Sequence, residues 1–176
     1  MKIKKFIEFE ISPDLHKQII KLKNKCFPDS QKPFSYYKQL PHFRFLVFKD
    51  EKIIGHMGID HRVILVGDSP KYIFGIIDLC IDINYRSNNI ASTLLEKITI
   101  LGERNNIDYL LLFANNYRLY NKNNFKPIST YCSWLKINNH KNYGVAFEEI
   151  KNEIMIKELG QNKWENKPID FLGYLF

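Results

Sequence analysis

A chain of 176 residues, 45% hydrophobic and 14% aromatic, has the length and apolar content to pack one core, which excludes a disordered or fibrous chain. Three scattered cysteines, Cys26, Cys80 and Cys132, make no CxxC and no Cys/His cluster; a structural zinc site is excluded and a reducing, cytoplasmic setting is expected. The net charge of +7 is spread along the chain, so no recognition helix or basic stacking platform for nucleic acid emerges; the excess reads first as a solvated lysine-rich surface and otherwise as attraction for an anionic ligand or partner.

In chain order, Lys2 to Ile11 alternates apolar and polar residues as an opening strand does. Glu8 and Glu10 interrupt any leader-like apolar run there, and no segment is long enough to span a bilayer. Ser12-Pro13-Asp14 starts a helix, with Ser12 as cap and Pro13 in its first turn; Leu15, Ile19, Leu22, Cys26 and Phe27 form its apolar face. Ser35–Leu40 is expected to form a second, short helix. Phe43–Phe48 and Lys52–Leu65 read as strands joined by a tight turn, and Tyr72 to about Ile83 as a long strand. A helix follows over about Asn89–Arg104, with apolar residues at helical spacing from Ile90 to Leu101. Asp108–Ala114 is a buried strand and Tyr117–Asn123 a short helix, with two more strands in Ile128–Ile137 and Ala146–Leu159.

This order predicts an α/β fold: one domain over residues 1–176, its mixed sheet mostly antiparallel with one parallel β-α-β crossover and flanked by helices. Residues 160–176 form a C-terminal tail rich in apolar side chains, too apolar to leave in water.

The segment that carries chemistry runs from Asp78 to Ala91. A buried strand passes through a polar turn straight into a helix N-terminus, which offers unpaired backbone N–H groups and the positive end of a helix dipole. Arg86 adds charge beside it. The run resembles motif A of the GNAT N-acetyltransferases, in which a strand leads into Arg/Gln-x-x-Gly-x-Gly/Ala. Arg86 stands at the opening position and Ala91 at the closing one. The family's usual glycines fall on Ser87 and Asn89, and Asn is the residue other than glycine that best tolerates positive φ. Leu119-Tyr120-Asn121-Lys122-Asn123-Asn124-Phe125 resembles the ending of motif B, Leu-Tyr-x-Lys-x-Gly-Phe, with Asn124 at the glycine position.

The resemblance implies an N-acyltransferase that takes an acyl group from acetyl-CoA, its co-substrate, and gives it to a small-molecule amine. The alternative is a silent acyl-CoA-binding module or a regulatory partner-binding protein. Leu79, Cys80 and Ile81 would offer backbone groups to the pantetheine arm. Arg86, Ser87, Asn88, Asn89, Ile90 and Ala91 would cradle the pyrophosphate. Tyr120 would act as general acid toward the departing thiolate. Asp78 is the candidate base; alternation places it opposite Leu79 and Ile81, on a face with Ile76 and Cys80, where an apolar neighbourhood would suit it to take up a proton, the alternative being a structural salt bridge or hydrogen-bond anchor. The Cys80 side chain itself reads as strand core.

Ile54-Gly55-His56-Met57-Gly58, with Arg62 and Val66-Gly67-Asp68, resembles the nodulation-type N-acyltransferases and, more loosely, the aminoglycoside 2′-N-acetyltransferases. The tail ending at Phe176 resembles theirs as well, with Tyr174 where an acid is expected. An amino-sugar acceptor follows from this, with His56, Asp170 and the terminal carboxylate of Phe176 as its binding groups. His56 and His61 lie five apart on a strand and face opposite ways, so no metal site is expected. The chain is expected to act as a monomer or homodimer.

Overall fold

The computed structural model describes residues 1–161 and 163–176. They form two compact units, one of Met1–Asp60 with Ile76–Leu95, the other of His61–Gly75 with Glu96–Phe176.

The first unit opens with strand β1 (Lys2–Ile7), a 3-10 turn over Glu8–Glu10 and helix α1 (Pro13–Cys26). The Leu15 N–H donates to the Ser12 hydroxyl at 3.3 Å, and Pro13 takes the first helical position as the sequence predicts. Strands β2 (Phe43–Lys49) and β3 (Lys52–Val66) form an antiparallel hairpin, and β1 pairs with β2. Their turn has Asp50 and Glu51 at φ 47° and 62°, the mirror-image geometry whose twist matches the flanking strands. Strand β4 (Ser69–Ile81) lies beside β3 and ends in this unit. Ile11, Ile19, Leu22, Leu46, Ile53 and Cys80 make the core under α1. Each such side chain contributes roughly 1.5–3 kcal/mol when taken out of water.

The helix expected over Ser35–Leu40 does not form. The Ser35 carbonyl accepts from Arg44 at 2.7 Å and from Lys23 at 3.2 Å, so it is taken by side chains rather than by a helical amide. Pro33 and Pro41 bracket the segment and restrict the residues before them.

In the second unit β4 pairs in parallel with β5 (Tyr109–Phe113), in the register Ile73↔Tyr109 to Gly75↔Leu111. Helix α2 (Ile90–Arg104) makes the connection from one to the other, the crossover that the sequence predicts. After the short helix α3 (Arg118–Lys122), β6 (Lys126–Asn138) and β7 (Lys141–Glu158) form a long hairpin, and β7 pairs antiparallel with β5. Strand β8 (Ile169–Tyr174) runs parallel to β6 and touches β3 antiparallel at Leu65↔Asp170. The sheet is therefore mixed, with a second parallel pairing beyond the expected one. Ile64, Ile73, Tyr109, Leu111, Ile154, Ile156 and Phe171 are fully or almost fully buried at the centre of this unit. Ile169 and Phe171 of the tail are core residues.

Candidate active site

The turn that ends β4 is built from local hydrogen bonds. Asp82 caps a 3-10 turn over Ile83–Tyr85 by accepting from the Asn84 N–H at 3.1 Å, and Lys25 clasps both carboxylate oxygens at 2.8 and 2.9 Å. The Lys25 bond, against the pull of burial, holds the Asp82 carboxyl below its usual range. Arg86 donates from Nε to the Ile81 carbonyl at 3.1 Å. Asn88 braces the loop with its amide, which donates to the carbonyls of Tyr85 and Arg86.

Ser87 and Asn89 both stand at positive φ, 66° and 56°. Both are positions that the resemblance associates with glycine, and both adopt the left-handed backbone that glycine adopts most readily. Helix α2 then starts at Ile90, with the Thr93 N–H donating to the Asn89 carbonyl at 2.9 Å. The amides ahead of Thr93 have no intrahelical acceptor and carry the positive end of the dipole. Of the β4 residues expected along the pantetheine arm, Leu79 is half-buried, while Cys80 and Ile81 are buried. The Ile81 carbonyl accepts from Arg86 and from the Cys26 thiol, the latter at 3.4 Å.

Asp78 departs from the simple alternation. Its φ of 49° breaks the strand's regular twist, and its carboxylate meets Lys23 Nζ at 2.5 Å, the salt bridge that the sequence left open beside the role of base. Lys23 is itself 7% exposed. Beneath lies a buried polar chain. Glu8 accepts from Arg44 Nε at 2.6 Å and from a terminal nitrogen at 2.7 Å. Arg44 donates to His56 Nε2 at 3.0 Å, which fixes the tautomer, and His56 Nδ1–H donates to the Asp78 carbonyl at 2.9 Å. Burial foremost, and then the Arg44 charge, push the His56 pKa well below its ordinary value, so the ring is neutral. His56, expected among the acceptor's binding groups, is 1% exposed, has both ring nitrogens engaged and donates to the backbone of β4 at Asp78.

A cleft of about 250 Å³ in this unit is lined by Lys23, Asn24, Phe27, Lys32, Tyr37 and Asp78, among others. Lys23 and Arg44 were missed by the sequence reading. Their signal was a cation within an apolar pattern, Lys23 beside Ile19 and Leu22 on α1 and Arg44 inside Phe43–Phe48.

The second unit holds the other candidates. Tyr120 lies half-buried on α3, its ring edge-on to Phe125 at 5.9 Å. Its carbonyl accepts from the N–H groups of Asn123 and Phe125, and Asn124 takes the left-handed φ of 65° expected there. Burial raises the phenol's pKa above its ordinary value, so it holds its proton at neutral pH. In the tail, Asp170 accepts from the Leu172 N–H at 2.8 Å, and the Phe176 ring packs edge-on to Phe113 and Phe171. Arg62 anchors this end by donating to the Tyr174 carbonyl at 2.6 Å, its guanidinium 4.1 Å from the Tyr174 ring centre. Thus Asp78, His56, Leu79–Ile81 and the 86–91 loop fall in one unit, and Tyr120, Asp170 and Phe176 in the other. Among the described residues no group of three His, Cys, Asp or Glu gathers as metal ligands, and no helix is long and apolar enough to cross a membrane.

No curated protein matches the chain. Among solved structures, Eis1 from Mycobacterium abscessus aligns at TM-score 0.64 and 11% identity over 76% of this chain, which spans 33% of that protein. The GNAT family N-acetyltransferase YhbS from Escherichia coli, solved in complex with CoA, aligns at TM-score 0.64 and 10% identity, covering 97% of this chain and 90% of that one. A GNAT family acetyltransferase from Brucella melitensis, in complex with acetyl-CoA, aligns at 0.59 and 10% identity, covering 94% of each chain. At such identities these likenesses establish the fold. The profile described as an acetyltransferase (GNAT) domain matches residues 10–128, well over half of the sequence and the whole strand-loop-helix described above. The chain belongs to the GNAT acetyltransferase family.

Proposed function

We propose that the chain transfers an acetyl or other acyl group from acyl-CoA to a primary amine of a small molecule, with an amino sugar as the favoured acceptor. The observation that carries this reading is the pair of positive φ angles at Ser87 and Asn89, between the end of β4 and the start of α2. Left-handed backbone there gives the loop, without glycine, the conformation that the motif resemblance calls for, directly ahead of the open amides of α2.

Acyl-CoA supplies the activated thioester. Arg86 and the first amides of α2 hold its phosphates. In the transfer the amine nitrogen bonds to the acyl carbon and the carbon–sulfur bond breaks. Asp78, which lines the cleft beside α1, takes the proton that the nitrogen sheds, directly or through water. Tyr120, protonated at neutral pH, gives one to the leaving sulfur. Asp170 and the terminal carboxylate attract the cationic acceptor. The enzyme works in the cytoplasm, as a monomer or homodimer; its three free cysteines suit a reducing compartment.

Calorimetry and steady-state kinetics test this reading. Acetyl-CoA at a hundred times its dissociation constant should stabilise the protein by about 2.7 kcal/mol. Arg86→Glu should remove most of that, and Tyr120→Phe should lower turnover by about 10²-fold with coenzyme A affinity unchanged. Equal stabilisation of wild type and Arg86→Glu would overturn the placement of the phosphates. Firm binding without turnover on any amine would leave the chain a silent acyl-CoA-binding module.

A further inference from the structure

Two of the three cysteines, far apart in sequence, meet at the donor loop. Cys26 is the last residue of α1, half-buried, and it packs on the core cluster that contains Cys80. Each thiol is near enough to be the leading influence on the other's ionisation. The Cys26 thiol and Arg86 Nε also converge on one carbonyl oxygen, that of Ile81, at 3.4 and 3.1 Å. The acyl-transfer chemistry above uses neither thiol. The third cysteine, Cys132, is fully buried in the other unit.

We propose that Cys26 is a thiol–disulfide exchange site, open to low-molecular-weight disulfides such as glutathione disulfide, and that Cys80 resolves the adduct into a Cys26–Cys80 disulfide. In the first step the Cys26 thiolate attacks one sulfur of the small disulfide. A protein–glutathione bond forms, the old sulfur–sulfur bond breaks, and one glutathione leaves as thiolate to take a proton from water. In the second step Cys80 loses its proton to solvent and attacks the Cys26 sulfur, and the second glutathione leaves. Two protein thiols are oxidised and one small disulfide is reduced to two thiols, so the electrons balance.

The roles of the two thiols follow from their surroundings. The Cys80 thiol is the largest influence on Cys26 and, with Arg86 helping against burial, brings its pKa down to about 7, so much of it is thiolate at neutral pH. Cys80 is 5% exposed and its pKa is pushed well up, first by Cys26 and then by burial. It is therefore a poor first nucleophile. Once the Cys26 sulfur is bonded to another sulfur, the larger of those two influences is gone and Cys80 becomes easier to ionise. Cys132, pushed up to about 12 by burial, serves as an internal control.

The experiment is intact-mass and peptide mass spectrometry of the reduced full chain incubated with glutathione disulfide across pH 6–9. The wild type should lose the mass of two hydrogens, with Cys26 and Cys80 linked in one peptide pair. The rate should rise with pH, reach half its limit at about 7, and level off above roughly pH 8, where Cys26 is almost wholly thiolate. Cys80→Ala should stop at one glutathione on Cys26, and Cys26→Ser should stay unmodified; a melting curve confirms that each variant is folded. No modification of a folded wild type, or modification of folded Cys26→Ser as fast as the wild type, would overturn the proposal. So would a Cys80→Ala variant that acquires no adduct even at the top of that pH range, where Cys26 ionises without help from Cys80, while the wild type is oxidised. Because the readout is mass, with no acyl donor present, it stands or falls apart from the acyltransferase reading.

Discussion

Ser87, Asn89 and Asn124 occupy positions where the family motifs carry glycine, and all three adopt the left-handed backbone that glycine adopts most readily. The motif letters made this legible in the sequence. Asp78 and His56 were legible only in part, because strand alternation assumes an unbroken strand and a positive φ at Asp78 breaks it. The Glu8–Arg44–His56 chain joins residues 36 and 12 apart, and only folding brings such partners together. That chain makes a prediction. His56 titrates well below its ordinary 6.5 in the fold, so below that pH the unfolded chain binds a proton that the folded chain refuses. Its contribution to stability is present above pH 6.5 and is lost as pH falls, with a slope of about 1.4 kcal/mol per pH unit. Denaturant titrations at pH 7.5, 6.5 and 5.5 should show this loss, and His56→Gln should flatten it. An equal slope in the variant would show that another group is responsible.

At the scale of elements, periodicity and turn chemistry gave the strands and helices from β1 to β7 to within a few residues, with one helix too many. Ser35–Leu40 was misread because the backbone there satisfies Arg44 and Lys23 rather than itself. The strand β8 was visible only as apolar excess in the tail, since six residues with a left-handed break at Leu172 have no clear alternation. The two ends of that tail differ. Ile169 and Phe171 are buried in the core of their unit, whereas Gly173–Phe176 lie beyond them and stay partly exposed. Truncation after Leu172 should therefore leave a folded protein, losing the Phe176 packing and the Arg62 anchor for about 1–3 kcal/mol. If the tail serves the acceptor, the same truncation raises the acceptor KM far more than the acetyl-CoA KM. Matching rises in both constants, or a protein that no longer stays soluble, would assign the last four residues to sealing the core alone.

Over the whole molecule the charge is +7, and a donor with several phosphates feels that field in two ways. In the proposed placement Arg86 and the α2 amides would act at contact range, where salt screens poorly; the lysines spread over the surface would act at distances near or beyond the Debye length, about 10 Å at 0.1 M salt. The two parts can be separated by measuring coenzyme A affinity and association rate from 50 to 500 mM salt. The association rate of the wild type should fall steeply with salt, because steering is the long-range effect. Arg86→Gln removes one contact charge and leaves the other basic residues in place. It should weaken affinity by about tenfold, in keeping with a charged hydrogen bond worth roughly 1.5–3 kcal/mol, while retaining most of the salt dependence of the association rate. A variant whose association rate no longer responds to salt would place the steering field at the loop itself. An affinity unchanged by Arg86→Gln would mean that the amides of α2 hold the phosphates without it.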